Sequence, residues 1–285
     1  MNINAIGNNN SINNSRVSQN NLQRVNSLQQ RNTERMATGQ RINRAADDAA
    51  GLSISELLQN QMRGLDQALR NTSDAGSLIA TADGAMGQIH DVLGRVRELT
   101  VQASNDTLSN DQRGVINAEI SQLLQEVDQI SHRTEFNTQQ VLQDGEFGFQ
   151  TGANAGQRME AVIGTMDLDH MGLSNFAQVF ENASVDNINL GGAVLSGLIE
   201  NIDNAAGAVS GARSNLGAIE NRLEHTGNNI ANSTLNLTQA NSRIRDTDMA
   251  RAAMERNRGG VLQQAQMAMM AQANINQGAV MRLMG

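Results

Sequence analysis

Leu216, Leu223, Ile230, Leu237 and Ile244 recur every seven residues toward the C-terminal end of the chain. Ile219, Thr226, Ser233 and Ala240 lie between them. An apolar a/d seam sustained over four heptads predicts a coiled-coil helix. The pattern places its start near Leu195 and its end at about 250, a length of roughly 80 Å at 1.5 Å per residue. The small or hydroxylated d positions let a partner backbone come close. A second seam, Ile116, Ile120, Leu123, Val127 and Ile130, has the same 3.5-residue spacing. A third runs through Ile89, Val92, Val96, Leu99 and Ala103. It continues a helix that begins near Leu52 and carries Leu57, Leu65, Leu69, Leu78 and Ile79 on its apolar side. Between the third seam and the second, the stretch SNDTLSNDQRG (104–114) breaks the pattern, and Ser109 suits the N-cap of the following helix. None of these helices can hide its stripe alone. The pattern therefore predicts a mainly α fold, an elongated coiled-coil bundle.

The two ends of the chain carry weaker helical patterns. Leu22, Val25, Leu28 and Met36 mark one; Val261, Leu262, Ala265, Met269, Ile275, Val280 and Leu283 mark the other. Ten Asn within the first 26 residues are a heavy load for an independently stable helix. Seven of the 14 Met lie from Met249 onward, and Met accepts imperfect partners. Both ends are expected to order only against each other and against other molecules. Residues 136–190 differ in kind, because all five Phe lie there. FGFQTGANAGQRMEAVIG (147–164) reads as a β-hairpin, and MDLDHMGLSNF (166–176) as a loop or short helical turn. This is a small cap, too short for a separate catalytic domain.

Composition supports the long-helix reading. The chain has no Pro, Cys, Trp or Tyr. Compact cores draw much buried area from aromatics, whereas thin helical seams need only Leu, Ile, Val, Met and Ala. The absence of Cys excludes disulfide scaffolds, thiolate metal sites and cysteine catalysis. No apolar run reaches 18 residues, so no membrane insertion is expected. The N-terminus lacks a basic segment followed by an apolar one, so it is not a cleavable secretory signal. Every basic residue is Arg. Residues 1–45 carry six Arg against Glu34, and residues 243–285 carry six against Asp246, Asp248 and Glu255. The centre is therefore strongly acidic, which argues against nucleic acid as a partner. The two basic ends resemble each other and differ from the centre.

Candidate chemistry is sparse. His90, His132, His170 and His225 are scattered without metal-ligand spacing. Asp167, Asp169 and His170 hint at a cation loop but lack the remaining oxygens of an EF-hand. Asp47 and Asp48 could pair as carboxylates; their position near a helix start favours a charged connector instead. There is no phosphate-binding Gly loop. No catalytic residue, metal or cofactor is expected.

RINRAADDAAGLSISE (41–56) resembles the hallmark joint of the bacterial flagellins. RGLDQALRNTSDAGSLIATADGAM (63–86), VLGRVRELTVQASN (92–105) and NAEISQLLQEVDQISHRTEFN (117–137) resemble successive family motifs. LGAIENRLEHTGNNIANSTLNLTQANSRIRDTDMA (216–250) and VLQQAQMAMMAQAN (261–274) resemble its C-terminal ones. The likeness covers about four fifths of the chain. It implies a structural subunit that is exported unfolded by the flagellar type III apparatus and polymerises into the extracellular filament, the propeller for swimming. It also implies a layered domain plan: 1–40 the N-terminal D0 helix, 41–56 the D0–D1 connector, 57–145 the N-terminal D1 helices, 146–192 a β-hairpin with a short variable region, 193–248 the C-terminal D1 helix and 249–285 the C-terminal D0 helix. Arg41, Asn43, Arg44, Asp47 and Asp48 would form the connector. Arg95, Leu99 and Glu119 would form a face that packs in the filament and is read by vertebrate innate-immune receptors; Gly94 stands where many members have Gln. Expected partners are further copies of the chain, the flagellar cap, hook-junction proteins and an export chaperone at the C-terminal helix. The alternatives are a hook–filament junction or other axial protein, which shares the terminal helices, and a cytoplasmic coiled coil, which would not polymerise.

Overall fold

The structure is a computed structural model and describes residues 3–175 and 192–284, with side chains over 16–175, 196–272 and 275. Five long helices dominate the described residues: α1 (Ile3–Thr38), α2 (Ala49–Ala103), α3 (Asn110–Arg133), α4 (Gly192–Arg245) and α5 (Met249–Met284). Strands β1 (Glu135–Phe136) and β2 (Gln139–Gln140) form one antiparallel hairpin, and β3 (Gly145–Gln150) and β4 (Arg158–Ile163) another. The fold is mainly α with a small β region. The chain forms two compact units. One comprises residues 61–235; the other comprises the stretch up to residue 60 and the stretch from 236 onward.

The 61–235 unit is built round one core. On α2, Ile79, Ala82, Met86, Ile89, Leu93 and Val96 have no exposed surface. Their steps of three and four residues are the helical period written as burial. Ile120, Leu124 and Val127 of α3 and Leu198, Ile202 and Val209 of α4 enter the same cluster, equally buried. Leu216, Leu223 and Ile230 follow the predicted heptad positions and are buried; Ile219, Thr226 and Ser233 are half-buried.

Three details depart from the heptad reading. On α3 Leu124 is fully buried beside Ile120 and Val127, while Leu123 and Ile130 are half-buried. A straight helix turns 3.6 residues per turn, so Ile116, Ile120, Leu124, Val127 and Ser131 centre the stripe and Leu123 and Ile130 fall at its edge. On α2, Leu93 replaces half-buried Val92 at the centre of the stripe for the same reason. Leu57 and Leu69, expected on the apolar side, are 66 % and 37 % exposed.

Ser109 caps α3 as expected. Its hydroxyl accepts from the Gln112 backbone N–H, and the Gln112 side chain accepts from the Ser109 N–H. This reciprocal capping box satisfies two end donors at once. The predicted β3–β4 hairpin runs in register from Gly145 opposite Ile163 to Gln150 opposite Arg158. Met159, Ala161 and Ile163 alternate inward. The small β1–β2 hairpin was not legible beforehand: Asn137 and Thr138 both have positive φ, at 50° and 65°, as a two-residue hairpin turn requires. Residues 166–173 are turns, as expected, yet Met166, Leu168, Met171 and Leu173 are buried in the core. The Met166 N–H donates to Leu142 O at 3.0 Å and fastens that segment down. Phe176 and Phe180 lie outside the described residues.

Candidate functional site

The joint that follows α1 is tied to the break that follows α4. Gly39 ends α1 with φ +70°, a left-handed conformation that glycine adopts without steric cost. The chain then pairs with residues 245–247. The Thr247 N–H donates to Gly39 O at 2.9 Å, the Arg41 N–H donates to Arg245 O at 2.6 Å, and Gln40 bridges Asp246 antiparallel. Two arginines lock the pairing. The Arg41 guanidinium donates to Ile244 O at 2.8 Å. The Arg245 guanidinium donates to Gln40 Oε1 at 2.9 Å and to the buried Ser55 hydroxyl at 3.4 Å.

The predicted connector residues each have a structural task. Asp48 is the cap of α2: its carboxylate accepts from the Gly51 N–H at 2.9 Å. Asp47 accepts from the Asn43 and Arg44 N–H groups and closes the turn between them. The Asn43 amide donates to Gln40 O at 3.2 Å. Arg44 pairs with Glu34 of α1 at 2.7 Å. Ile42 is 1 % exposed and packs toward Gly51, where a Cβ would come within 2.8 Å of Ile42 Cδ1 and 2.5 Å of Asp48 Oδ2. The two acids therefore cap and close turns. On the far side of the pairing, Asp248 repeats the role of Asp48 by accepting from the Arg251 N–H at the start of α5. Gln40, Arg245, Asp246 and Thr247 escaped the sequence reading. The one signal was Asp-Thr-Asp ahead of a helical run, a plausible N-cap position.

Among the described residues, polar groups stand between the terminal helices α1 and α5. The Gln263 amide donates to Asn26 Oδ1 at 3.1 Å, and Asn26, Gln29, Gln30, Thr33 and Gln263 line the groove between them. Leu22, Val25 and Met36 are half-buried. The other expected seam residues are not inside: Leu28, Val261, Leu262, Met269 and Ile275 are exposed, as is Ala265. Val280 and Leu283 have side chains outside the described residues. The apolar positions of α5 are spread round its circumference, so one neighbouring helix cannot cover them all.

Arg95 and Glu119 meet at the surface, and Leu99 is buried. Arg95 forks between Glu119 of α3 at 3.1 Å and Glu98 at 3.2 Å. The hydrogen bond to Glu119, then that to Glu98, raises the guanidinium pKa above its ordinary value. Leu99, four residues on, is 2 % exposed and belongs to the core. The surface therefore presents Arg95, Glu98 and Glu119, with Leu99 beneath. Other arginines brace the helices: Arg97 pairs with Asp203 at 2.7 Å and Arg213 with Asp83 at 2.9 Å.

Asp167 and His170 form a turn clasp. The Asp167 carboxylate accepts from the His170 N–H at 2.8 Å and lies 2.8 Å from its ring Nδ1. Burial pushes the Asp167 carboxyl up, but the hydrogen bonds from His170 and the charges of His170 and His132 outweigh this and hold it below its usual range. Among the described residues, no group of three or more His, Asp or Glu could hold a metal ion, and no helix is long and apolar enough to cross a membrane.

Comparison with known proteins reads this arrangement at family level. Residues 8–146 match the bacterial flagellin N-terminal helical region and residues 199–284 the bacterial flagellin C-terminal helical region. A flagellin of Halalkalibacterium halodurans is 45 % identical over 253 residues, covering 88 % of this chain and 90 % of its own. A flagellin of Bacillus subtilis is 41 % identical, covering 89 % and 92 %. A flagellar filament 30.7 kDa core protein of Treponema maltophilum is 37 % identical, covering 89 % and 91 %. The fold is shared with a Vibrio parahaemolyticus protein described as a flagellar hook-associated protein, at a TM-score of 0.59 over 70 % of this chain and all of that one. Its identity of 12 % makes that a likeness of fold alone. With both ends matching flagellin regions and identity this high over most of its length, the chain belongs to the bacterial flagellin family.

Proposed function

We propose that this chain, a structural subunit of the extracellular flagellar filament as its family is, assembles chiefly through α1 and α5. Residues 1–40 and 249–285 form the inner layer, 41–56 the connector, 57–145 and 193–248 the rod, and 146–192 a hairpin with a short variable stretch. The observation that carries this reading is the terminal pair: Gln263 bonds Asn26 across it, and Leu28, Val261, Leu262, Met269 and Ile275 are left facing out. Burying one such side chain against a neighbouring copy gains about 1.5–3 kcal/mol. A contact between unlike surfaces that does not close on itself propagates as a helix. Ordering the terminal helices costs conformational entropy, so the free subunit waits for a growing tip.

The chain passes unfolded through the flagellar type III apparatus and performs no catalysis. The lack of Cys and Pro suits threading, because no disulfide or slow prolyl isomerisation delays refolding. Its partners beyond further copies are the flagellar cap, hook-junction proteins and an export chaperone at α5. The exposed Arg95 and Glu119 pair is the surface an innate-immune receptor reads.

Seeded elongation watched by electron microscopy tests the reading. The wild-type chain extends seeds, while Leu262→Asp and Ile275→Asp do not, although their rods unfold normally. Limited proteolysis gives an independent check. Ends 1–40 and 250–285 are cut before the rod in the free subunit; ends as resistant as the rod would sink the order-on-assembly account.

A further inference from the structure

Among the described methionines, two groups stand at opposite extremes. Met86, Met159, Met166 and Met171 are buried in the core, at 0–8 % exposure. Met249, Met254, Met267 and Met269 on α5 are 47–67 % exposed. A thioether open to solvent is open to oxidants, whereas a core thioether is shielded by its neighbours. We propose that α5 is an oxidation site, at which peroxide converts Met254, Met267 and Met269 to sulfoxides in the free subunit and thereby stops assembly. The inference rests on the reading that α5 docks against neighbouring copies.

The chemistry balances with a hydroperoxide as oxidant. A sulfur lone pair attacks one oxygen of hydrogen peroxide, the S–O bond forms as the O–O bond breaks, and the proton on the transferred oxygen passes to the leaving hydroxide, giving sulfoxide and water. Sulfur loses two electrons and the peroxide gains them. The product carries a strongly polar oxygen where docking requires an apolar surface, and burying it without a donor is costly. Inside a filament the same side chains would be covered, so oxidation would act on subunits before incorporation. A sulfoxide reductase would reverse the block.

The full-length free subunit is treated with hydrogen peroxide, mapped by peptide mass spectrometry and offered to filament seeds. Sulfoxide should form at Met254, Met267 and Met269 well before Met86 and Met166. Elongation should fall at least about tenfold, the factor that ~1.4 kcal/mol of lost docking energy produces. Sulfoxide reductase should restore it. The combined Met249→Leu, Met254→Leu, Met267→Leu, Met269→Leu variant removes all four exposed thioethers, keeps size and apolarity, and should elongate after the same exposure. Core methionines oxidising as fast, oxidised subunits elongating at the untreated rate, or restoration failing despite complete re-reduction would each overturn the proposal. If untreated wild-type chain never extends seeds, the filament reading falls and takes this inference with it.

Discussion

Leu93 on α2 is wholly buried, while Leu28 on α1 is 53 % exposed. Both are leucines on long helices of one chain, and the difference lies in their surroundings. In the 61–235 unit, α2 shares its core with α3, α4, the β3–β4 hairpin and the buried 166–173 segment. Apolar atoms from several directions meet there and exclude water. In the other unit α1 and α5 have chiefly each other, with Gln263 bonded to Asn26 across the pair. A helix with one neighbour can cover one side only. The first unit encloses a continuous apolar core; the terminal pair leaves Leu28, Val261, Leu262, Met269 and Ile275 exposed. The comparison teaches that an exposed leucine in a homopolymer subunit need not be a defect when its partner is another molecule.

Core truncation in the rod is the severest test of that contrast. Leu93→Ala should cost about 2–5 kcal/mol of unfolding free energy, through lost transfer energy and a cavity. Leu28→Ala should stay within about 0.5 kcal/mol in the free subunit. Urea unfolding of the two variants, followed by circular dichroism, compares them directly, and equal losses would erase the distinction between the units. Next comes the joint. Gly51→Ala forces a methyl against Ile42 and Asp48, an overpacking worth about 1–3 kcal/mol. Hydrogen exchange should quicken at residues 40–52 and stay unchanged at the rod core.

A smaller effect is expected at the turn clasp. Asp167→Asn weakens the interaction with His170 and should cost about 1 kcal/mol. Because the folded pKa of Asp167 is depressed, its contribution is present in full above the ordinary carboxylate pKa and is lost as pH falls through the depressed value. The wild-type advantage over the variant should therefore shrink on acidification; an advantage that grows would reverse the assigned sign. Smallest of all is the surface fork. Arg95→Ala should leave stability nearly unchanged, since exposed ion pairs contribute little. The same change, like Glu119→Ala, should nonetheless reduce receptor activation in a reporter assay. Unchanged activation would remove Arg95 and Glu119 from that role.

Much of the rod could be read from residue spacing. Heptads place Leu216, Leu223 and Ile230 correctly because local helical geometry fixes which residues share a face. Ser109 could be read as a cap because it acts on its own backbone. The joint was half legible. RINRAADDAAGLSISE marks one strand of the pairing, but Arg245, Asp246 and Thr247 lie some 200 positions away and spacing alone cannot join them. Leu99 shows the opposite failure: it shares a helix side with Arg95, yet α3 and the core lie over it and only the longer arginine reaches solvent.

The sequence by itself therefore determined the helices, their caps and the family, all of which depend on neighbours a few positions apart. Tertiary structure decided whether Leu123 or Leu124 sits deepest, which residues complete the joint, and which apolar side chains of α5 the subunit leaves uncovered. Those outcomes depend on what stands opposite a residue in space, and a one-dimensional pattern does not record that.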